Sequence, residues 1–406
     1  MKKNGHSRQN GFSMEQKFYV DPNIFQADLE KIAYVDWLFV DHDSRVPNPG
    51  DYFVFNIGKE SIIVTRGKDS VIRAFFNVCR HRGSHICTES EGNKQVLVCP
   101  YHAWSYDLEG NLKSARSMPE TFNKKEWSLI KCHVQVYAGM IFINLSKQDP
   151  RNFNSFIAPL KPYMDLHGLG DARIAFRKKF LTNANWKLCV ENFYECYHCT
   201  PSHPEYCKVH DKTFISAHGG GLNTGPDEDI KKYEKTIKEW KNKTENLGYL
   251  NDSYTDETGG MRSASRTPLP NGFLSETVNG KMTAPLMGQF KQGQENDCGY
   301  TNVSFNAFTS LLMSNDHAVV FNFIPNDTLN TTMELLWLID KDAKEDVDYK
   351  VKDLTWLWDI TTVADKKIIE NNQKGVLSRA YMPGPYSNQE KGVVQLVDWY
   401  LNQIST

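Results

Sequence analysis

Short apolar runs separated by polar turns dominate the chain from about residue 45 to residue 146. The runs read YFVF, SIIVTR, VIRAFFNV, VLVC and YAGMIFINL. Turn-forming sequences such as Gly67-Lys68-Asp69 and Glu109-Gly110-Asn111 separate them. Strand-length runs at this spacing are typical of small all-β folds, so the pattern predicts an all-β unit here.

The chain on either side of this β region follows other patterns. Before it, residues 18–40 mix apolar and acidic positions, which predicts a helix over about 22–32 and an extended stretch after it. Breaks near Pro47 and at Asp149-Pro150 divide the chain into the expected parts 1–44, 45–150 and 151–406. The last part is predicted to contain a charged helix over 228–247, a loop over 251–270, strands over 319–325 and 332–339, and helices over 345–358 and 362–377.

Composition and charge exclude several classes of protein and of binding partner. Hydrophobic residues make up 40% and charged residues 24% of the 406 residues, which excludes collagen-like chains, disordered chains and small disulfide scaffolds. The 49 acidic and 47 basic residues leave a formal net charge of -2. Nucleic acids and acidic membranes attract strongly basic proteins, so we expect neither as a partner.

Three features predict a cytoplasmic protein. The best apolar run, Tyr137 to Leu145, has strand length, whereas a membrane span needs about 18–20 apolar residues. The first residues, MKKNGHSRQNGF, lack the apolar segment of a secretory signal peptide. The nine cysteines form no regular framework, and in a reducing compartment closely spaced cysteines bind metals more often than they form disulfides.

Two short motifs combine cysteine with histidine. NVCRHRG contains Cys79 and His81, and VCPYHAW contains Cys99 and His102, with 17 residues between the two halves. Two thiolates on one iron and two imidazoles on the other describe a Rieske [2Fe–2S] centre. Structural zinc is the alternative, because Cys2His2 also suits tetrahedral zinc, but the alternating C-x-H order is unusual for zinc sites.

A second candidate metal site lies in NWKLCVENFYECYHCTPSH, residues 185–203. His198 and His203 are five residues apart, and Pro201 is expected to end a helix just after His198 so that His203 turns back toward it. Two imidazoles and one carboxylate form the triad that binds non-haem Fe(II) and leaves positions open for O2 and substrate. The nearby cysteines are expected to pack as small apolar residues: Cys189, Cys196 and Cys199.

The carboxylate of this triad must come from farther along the chain. Asp359 and Asp365 are the candidates, in WLWDITTVADKKIIENNQKGV. Asp365 heads a helical stripe with apolar residues and so suits an inward position, but Thr362 and Asp365 also fit a helix capping box. The pattern alone leaves both aspartates open.

Together the motifs CRHRG, CPYHAW and the His198/His203 segment resemble the Rieske non-haem iron (ring-hydroxylating-type) oxygenase α subunits, over about residues 18–402. Respiratory-chain Rieske proteins carry an extra cysteine in each loop, where this chain has Ser84 and Tyr101. The fold implied is α+β, with an N-terminal all-β Rieske domain and a catalytic domain with an antiparallel sheet flanked by helices. Residues 1–44 should pack on the catalytic domain. The segment around Asp365 is similar to the family segment that carries the third iron ligand, which favours Asp365.

The resemblance also implies cofactors and partners. The expected activity is O2- and NAD(P)H-dependent hydroxylation of an aliphatic C–H bond, with a [2Fe–2S] cluster and a mononuclear Fe(II). A separate flavin or ferredoxin reductase should supply the electrons, because the sequence has no Gly-rich nucleotide-binding loop. A homotrimer is implied, in which Glu195, three residues before His198, bridges to His102 of a neighbouring subunit for electron transfer.

Three stretches are similar to the glycine betaine, stachydrine and choline monooxygenase branch: HRGSHIC, RTPLPNGFLSETVNGKMTAPLMG and ENNQKGVLSRAYMPGPYS. They imply a small quaternary ammonium substrate that is hydroxylated or N-demethylated. Two alternatives stay open: oxidation of a natural product such as a polyketide, and a Rieske electron-transfer protein without oxygenase activity. The aromatic candidates for the pocket are Phe290, Tyr300, Phe305, Phe308, Phe321 and Phe323.

Overall fold

The computed structural model describes residues 9–210, 215, 227–292 and 295–405. The chain forms two compact units. One unit is Ala33–Phe153, and the other combines the residues up to Ile32 with those from Asn154 onward. None of the helices in the described ranges combines the length and the apolar character that a membrane crossing requires.

The Ala33–Phe153 unit is built from antiparallel strands, which confirms the predicted all-β character. A seven-stranded sheet has the order β1-β10-β9-β4-β3-β2-β5, and a three-stranded sheet has the order β6-β7-β8, both within the fully described stretch 33–153. The strands are β1 Leu38–His42, β2 Asp51–Ile57, β3 Glu60–Arg66, β4 Ile72–Phe76, β5 Glu91–Asn93, β6 Leu97–Val98, β7 Ser105–Tyr106, β8 Leu112–Ser114, β9 Lys131–Tyr137 and β10 Met140–Asn144. The fully buried strand β1 pairs with β10, so this unit includes residues ahead of the expected boundary at residue 45.

The second unit is centred on an antiparallel sheet, as the family resemblance implied. Among the described residues its strand order is β11-β17-β16-β15-β14-β13-β12. The strands are β11 Ala172–Thr182, β12 Ser253–Thr255, β13 Ser263–Pro268, β14 Gly299–Ser304, β15 Thr309–Met313, β16 Ala318–Asp327 and β17 Asn330–Asp340. The α-helices among the described residues are α1 Lys17–Val20, α2 Pro22–Asp28, α3 Phe153–Ile157, α4 Lys161–His167, α5 Trp186–Phe193, α6 Cys199–Ser202, α7 Pro204–His210, α8 Asp227–Asn246, α9 Val351–Val376 and α10 Lys391–Ser405.

Two predicted elements of this unit were wrong. One continuous helix, α9, replaces the two helices predicted over 345–358 and 362–377. Thr361 and Thr362 are buried inside it, and the Thr361 hydroxyl donates to the Leu357 carbonyl at 2.9 Å. A hydroxyl that bonds back to the preceding helical turn is compatible with a helix interior. Thr362 therefore lies inside α9 and does not begin a helix, which excludes the capping-box alternative for Asp365.

The predicted loop over 251–270 instead contains strands β12 and β13. In β13 the small polar residues alternate with buried ones, so that Ala264, Arg266 and Pro268 face away from solvent. Such alternation is the pattern of a half-buried strand. The strand was not predicted because its many serine and threonine residues are also common in loops.

A buried polar cluster joins the N-terminal helices to α5 and α10. Asp28, at the end of α2, accepts hydrogen bonds from the Trp186 indole at 3.0 Å and the Tyr400 hydroxyl at 2.7 Å. It also pairs with the buried ammonium of Lys187. Residues up to Ile32 therefore belong to the same unit as the C-terminal part of the chain.

Candidate functional site

The two Cys-His motifs lie in loops that share one hydrogen-bonding pattern. The Cys79 amide donates to the Ser84 carbonyl, and the Cys99 amide donates to the Trp104 carbonyl, both at 2.8 Å. Each cysteine carbonyl in turn accepts from the residue four positions later, Gly83 or Ala103, at 3.0 Å. Gly83 and Ala103 both have positive φ, at 80° and 57°, which lets each loop fold back tightly.

These loops bring the four side chains together in two pairs. Cys79 and Cys99 are buried, and Cys99 lies close enough to contribute to the raised pKa of the Cys79 thiol. His81 and His102 are exposed, and their Nδ1 atoms lie 3.2 Å apart. A buried sulfur pair and an exposed nitrogen pair suit a two-iron cluster with one iron at each end. This donor set fits a Rieske group better than a single tetrahedral zinc ion.

Aromatic residues surround the four candidate cluster ligands. The ring of His81 stacks on Trp104 with centroids 4.9 Å apart, and His102 stacks on Tyr101 at 4.0 Å. The Tyr106 hydroxyl lies 3.6 Å from the Cys79 sulfur. Burial raises the pKa of the Cys79 thiol, so the thiolate form requires a bound cation, which a metal supplies.

The second site is built where α5 ends and two short helices follow. Helix α5 ends at Phe193, well before His198, so the expectation that Pro201 ends the helix was wrong. Pro201 instead lies inside α6, and His198 and His203 flank that single turn. The His203 amide donates to the Cys199 carbonyl at 2.9 Å. The turn, rather than a continuous helix, brings the two imidazoles close.

Helix α9 delivers the carboxylate to these imidazoles. Asp365 Oδ1 lies 2.8 Å from His203 Nε2 and 3.2 Å from His198 Nε2. One ligand atom from each residue lies within 4.8 Å of the others, and among the described residues this is the group that could hold a single metal ion. Asp359 instead pairs with Lys178 at 2.5 Å and lies outside that group. The arrangement offers two nitrogens and one oxygen, which suits Fe(II).

Glu195 and Asn192 hold the ring of His198. Glu195 Oε1 accepts from His198 Nδ1 at 2.5 Å, which leaves Nε2 directed toward Asp365. Asn192 Nδ2 lies 3.4 Å from His198 Nε2. Burial lowers the pKa of His198, but the hydrogen bonds with Asp365 and Glu195 outweigh it and raise this pKa to about 9. A metal-ligating histidine commonly donates its other N–H to a carboxylate in this way.

The cysteines around His198 differ in part from the expectation. Cys189 is fully buried and packs as a small apolar residue, as expected. Cys196 and Cys199 are joined in a disulfide with Cα atoms 4.9 Å apart, so the prediction for this pair was wrong. The reason is local, because the turn that places His198 also brings the residues on either side of it together.

A cavity of about 390 Å³ adjoins the triad. His198, His203 and Asp365 line one part of it, and the aromatic rings that line it further include Tyr206, Tyr300, Phe321 and Trp358. Of the six aromatic candidates, Tyr300 and Phe321 line the cavity, whereas Phe290, Phe305, Phe308 and Phe323 do not. Tyr206 and Trp358 were missed, although each lies near a predicted metal ligand in sequence.

Strands β13 and β14 form a polar wall of the same cavity. Ser263, Ser265 and Thr267 alternate along β13, opposite Ser304, Asn302 and Tyr300 of β14 in the antiparallel register. All six line the cavity. Among its described lining residues there is no lysine or arginine. The wall therefore offers hydroxyl and amide groups to a ligand but no positive charge.

Comparisons with known proteins agree with this geometry. Residues 36–137 match the Rieske [2Fe-2S] domain, and residues 164–406 match the catalytic domain of the ring-hydroxylating alpha subunit. The chain is 35% identical to the glycine betaine monooxygenase oxygenase subunit of Pseudomonas aeruginosa (strain UCBPP-PA14), over 97% of this chain and 89% of that protein. It is 36% identical to the carnitine monooxygenase oxygenase subunit of Escherichia coli (strain K12), over 49% of this chain and 54% of that protein.

Solved structures show the same fold. The quaternary ammonium Rieske monooxygenase CntA in complex with L-carnitine matches with a TM-score of 0.70 at 22% identity, over 98% of this chain and 96% of that one. A naphthalene 1,2-dioxygenase matches with a TM-score of 0.70 at 20% identity, over 100% and 95%. The two matched domains and the near full-length relatives confirm the resemblance found in the sequence. The chain thus belongs to the Rieske oxygenases, as a ring-hydroxylating-type α subunit that carries both the Rieske domain and the catalytic domain of an oxidoreductase.

Proposed function

We propose that this oxygenase hydroxylates an N-methyl or neighbouring carbon of a small quaternary ammonium compound. The observation that carries this proposal is the cavity, in which Tyr206, Tyr300 and Trp358 lie beside the His198/His203/Asp365 triad. Aromatic faces attract quaternary ammonium cations. Full-length similarity to a glycine betaine monooxygenase subunit supports the same class of substrate.

The residues that would hold the metals are those with the fitting donor sets. Cys79, Cys99, His81 and His102 would bind the [2Fe–2S] cluster, and His198, His203 and Asp365 would bind the mononuclear iron. When bound, the cluster supplies single electrons and the iron supplies the site at which O2 and the substrate meet. Glu195 keeps the proton of His198 on Nδ1, so that Nε2 stays available as a ligand.

The rest of the cavity would orient the substrate. The aromatic rings would hold the cationic head beside the triad, and the polar wall of β13 and β14 would hydrogen-bond the other end of the substrate. The overall reaction takes up O2, two electrons and two protons, and releases water with the hydroxylated product. A hydroxymethyl group on nitrogen then gives up its hydroxyl proton and leaves as formaldehyde, while the electron pair of the C–N bond stays on the nitrogen of the tertiary amine product.

Electrons would come from NAD(P)H through a separate flavin or ferredoxin reductase. We also propose a homotrimer in which Glu195 of one subunit bonds His102 of the next. Glu195 Oε1 bonds His198 Nδ1 and its Oε2 accepts from the backbone amides of Tyr197 and His198, so a bond to His102 would be an additional bond to this carboxylate. Glu195 has one methylene more than the aspartate that is common at this position in the family.

The test is turnover with a generic reductase, NADH and a panel of quaternary ammonium compounds. Formaldehyde release matched to O2 uptake from glycine betaine, proline betaine, choline or carnitine supports the proposal. Turnover of a polyketide intermediate without formaldehyde from any of the quaternary compounds would favour the natural-product alternative. Iron content distinguishes an oxygenase from the remaining alternative, a Rieske electron-transfer protein, because the electron carrier needs two irons per chain and the oxygenase needs three.

A further inference from the structure

A buried carboxylate lies behind the aromatic part of the cavity. The side chain of Glu276, in the segment before β14, is almost completely enclosed, with 2% of the residue exposed. Its Oε1 lies 2.7 Å from His210 Nε2, and its Oε2 accepts from the indole of Trp358 at 3.3 Å. Burial and the nearby Glu276 carboxylate raise the pKa of the Tyr300 hydroxyl. The three side chains next to this carboxylate, His210, Trp358 and Tyr300, all carry rings that line the cavity.

Within the part of the chain that the structure describes, the carboxylate of Glu276 pairs with His210 and with no lysine or arginine. The imidazole of His210 cancels this charge only when both of its nitrogens carry a proton. His317 also interacts electrostatically with Glu276, but its own ion pair is with Asp316 at 2.9 Å. A buried carboxylate needs a compensating cation, and the cavity is the space from which one could come.

The rings around Glu276 form one contiguous surface. We call Tyr206, Tyr300, Phe321 and Trp358 the ring cluster. His210 stacks on Tyr206 at 4.2 Å and meets the edge of Tyr300 at 5.5 Å. Trp358 lies 5.8 Å from Tyr206 and 5.1 Å from Phe321. A cation on these faces would interact with both the rings and the carboxylate behind them.

We propose that Glu276 supplies the negative charge by which the ring cluster selects a permanently cationic trimethylammonium head over a neutral head of the same shape. The inference rests on the proposed function and adds a residue that sets its specificity. The hydrogen bond from the Trp358 indole to the Glu276 carboxylate pushes electron density into the indole ring. This polarisation adds to the direct Coulomb attraction, which is strong in a water-poor cavity.

The experiment compares ligands that differ only in charge. Glycine betaine and 3,3-dimethylbutanoate have the same shape, as do choline and 3,3-dimethylbutan-1-ol, with carbon in place of nitrogen in the neutral head. Dissociation constants are measured by calorimetry on the metal-loaded protein. We expect the wild type to bind at least one cation more tightly than its neutral counterpart. Glu276→Gln should weaken the binding of that cation about tenfold, while the neutral counterpart binds as before.

Two variants keep the result interpretable. Glu334→Gln removes another buried carboxylate, which pairs with Arg177 at 2.7 Å and does not line the cavity, so it should leave the cation-to-neutral ratio unchanged. Glu276→Gln/His210→Gln replaces the pair with two amides that can bond each other, and covers the case in which the single variant does not fold. This double variant should also lose the preference for the cation.

Each other outcome has a defined meaning. If Glu276→Gln, or the double variant, weakens cation and neutral ligand equally, the role of Glu276 is structural and the inference is overturned. If the wild type selects the cation and both variants retain that ratio, the inference alone fails. If the wild type binds neither cation and releases no formaldehyde, the proposed function fails, and the inference fails with it.

Discussion

His203 Nε2 lies 2.8 Å from Asp365 Oδ1, although 162 residues separate them in the chain. Two independent parts of the fold create this contact. The turn α6 presents His203 beside His198, and the long helix α9 carries Asp365 past both imidazoles. Because the same oxygen also lies 3.2 Å from His198 Nε2, the three side chains converge on one point.

The first prediction concerns the ligands of the mononuclear iron. His203→Ala and Asp365→Ala should each remove this iron, because two remaining protein ligands hold it poorly. Iron per chain should fall from three to two, while the electron-resonance signal of the Rieske cluster persists. Asp359→Ala is the matched control, because Asp359 lies on the same helix as Asp365 but pairs with Lys178 of β11, and this variant should retain three irons. Two irons in Asp359→Ala with three in Asp365→Ala would reverse the assignment.

The second prediction concerns the cluster. Cys99→Ser and Cys79→Ser should abolish the visible absorption and the electron-resonance signal of the Rieske centre, because hard oxygen is a poor substitute for thiolate. Cys87→Ser is the control: Cys87 is also buried, and burial raises the pKa of its thiol to about 11, so it stays a protonated core residue. A normal spectrum in Cys79→Ser would show that another residue completes the cluster.

Local sequence patterns were sufficient to select the candidate residues of the cluster and partly sufficient to select those of the triad. Cys79, His81, Cys99 and His102 lie in two short loops, so their spacing in sequence already encodes their geometry. Asp365 was different, because the pattern alone left both Asp365 and Asp359 open and the family resemblance favoured Asp365. Only the tertiary structure shows Asp359 turned toward Lys178.

The errors also have physical causes. The unbroken helix α9 was missed because Thr361 and Thr362 are weak helix formers, and burial of their side chains overrides that propensity. The strand β13 was missed because Ser and Thr are common in loops. Glu276 could not have been chosen from the sequence, since its distinction is the set of rings that enclose it.

The third prediction concerns the pH dependence of stability. Burial raises the pKa of Asp316, but its pairing with His317 outweighs that effect and lowers it below 3.8. The same pairing outweighs burial at His317 and raises its pKa above 6.5. The stabilisation from His317 is present below pH 6.5 and is lost as the pH rises through its folded pKa. The stabilisation from Asp316 is present above pH 3.8 and is lost as the pH falls through its folded pKa.

Asp316→Asn should therefore lower the free energy of unfolding most between pH 3.8 and pH 6.5. The expected loss is about 3–5 kcal/mol, because one partner is removed from a buried pair. The cost should shrink toward alkaline pH. Urea unfolding of the wild type and the variant at pH 5, 6, 8 and 9 measures the difference in unfolding free energy. A difference that stays constant over this range would mean that the pair is not ionised in the folded protein.

The fourth prediction concerns Glu195 as the bridge between subunits. Glu195→Gln keeps the shape of the side chain but weakens its bond to His198 Nδ1, now 2.5 Å long. We expect both metal sites to be filled, with oxidation of the reduced cluster by substrate and O2 slowed about 10- to 100-fold. Glu195→Asp should retain much of the activity, because it keeps the charge and restores the side chain that is common in the family.

Mixed trimers test the bridge more directly. A Cys79→Ser subunit has no cluster and a His198→Ala subunit has no mononuclear iron, so each homotrimer should be inactive. In a mixed trimer, an intact cluster in one subunit can face an intact iron site in the next, and turnover should recover. Adding Glu195→Gln to the Cys79→Ser subunit, which holds the working iron, should slow the recovered turnover as much as it slows the Glu195→Gln homotrimer, whereas adding it to the His198→Ala subunit should not. Mixed trimers that are confirmed by mass and remain inactive would place electron transfer within a single chain.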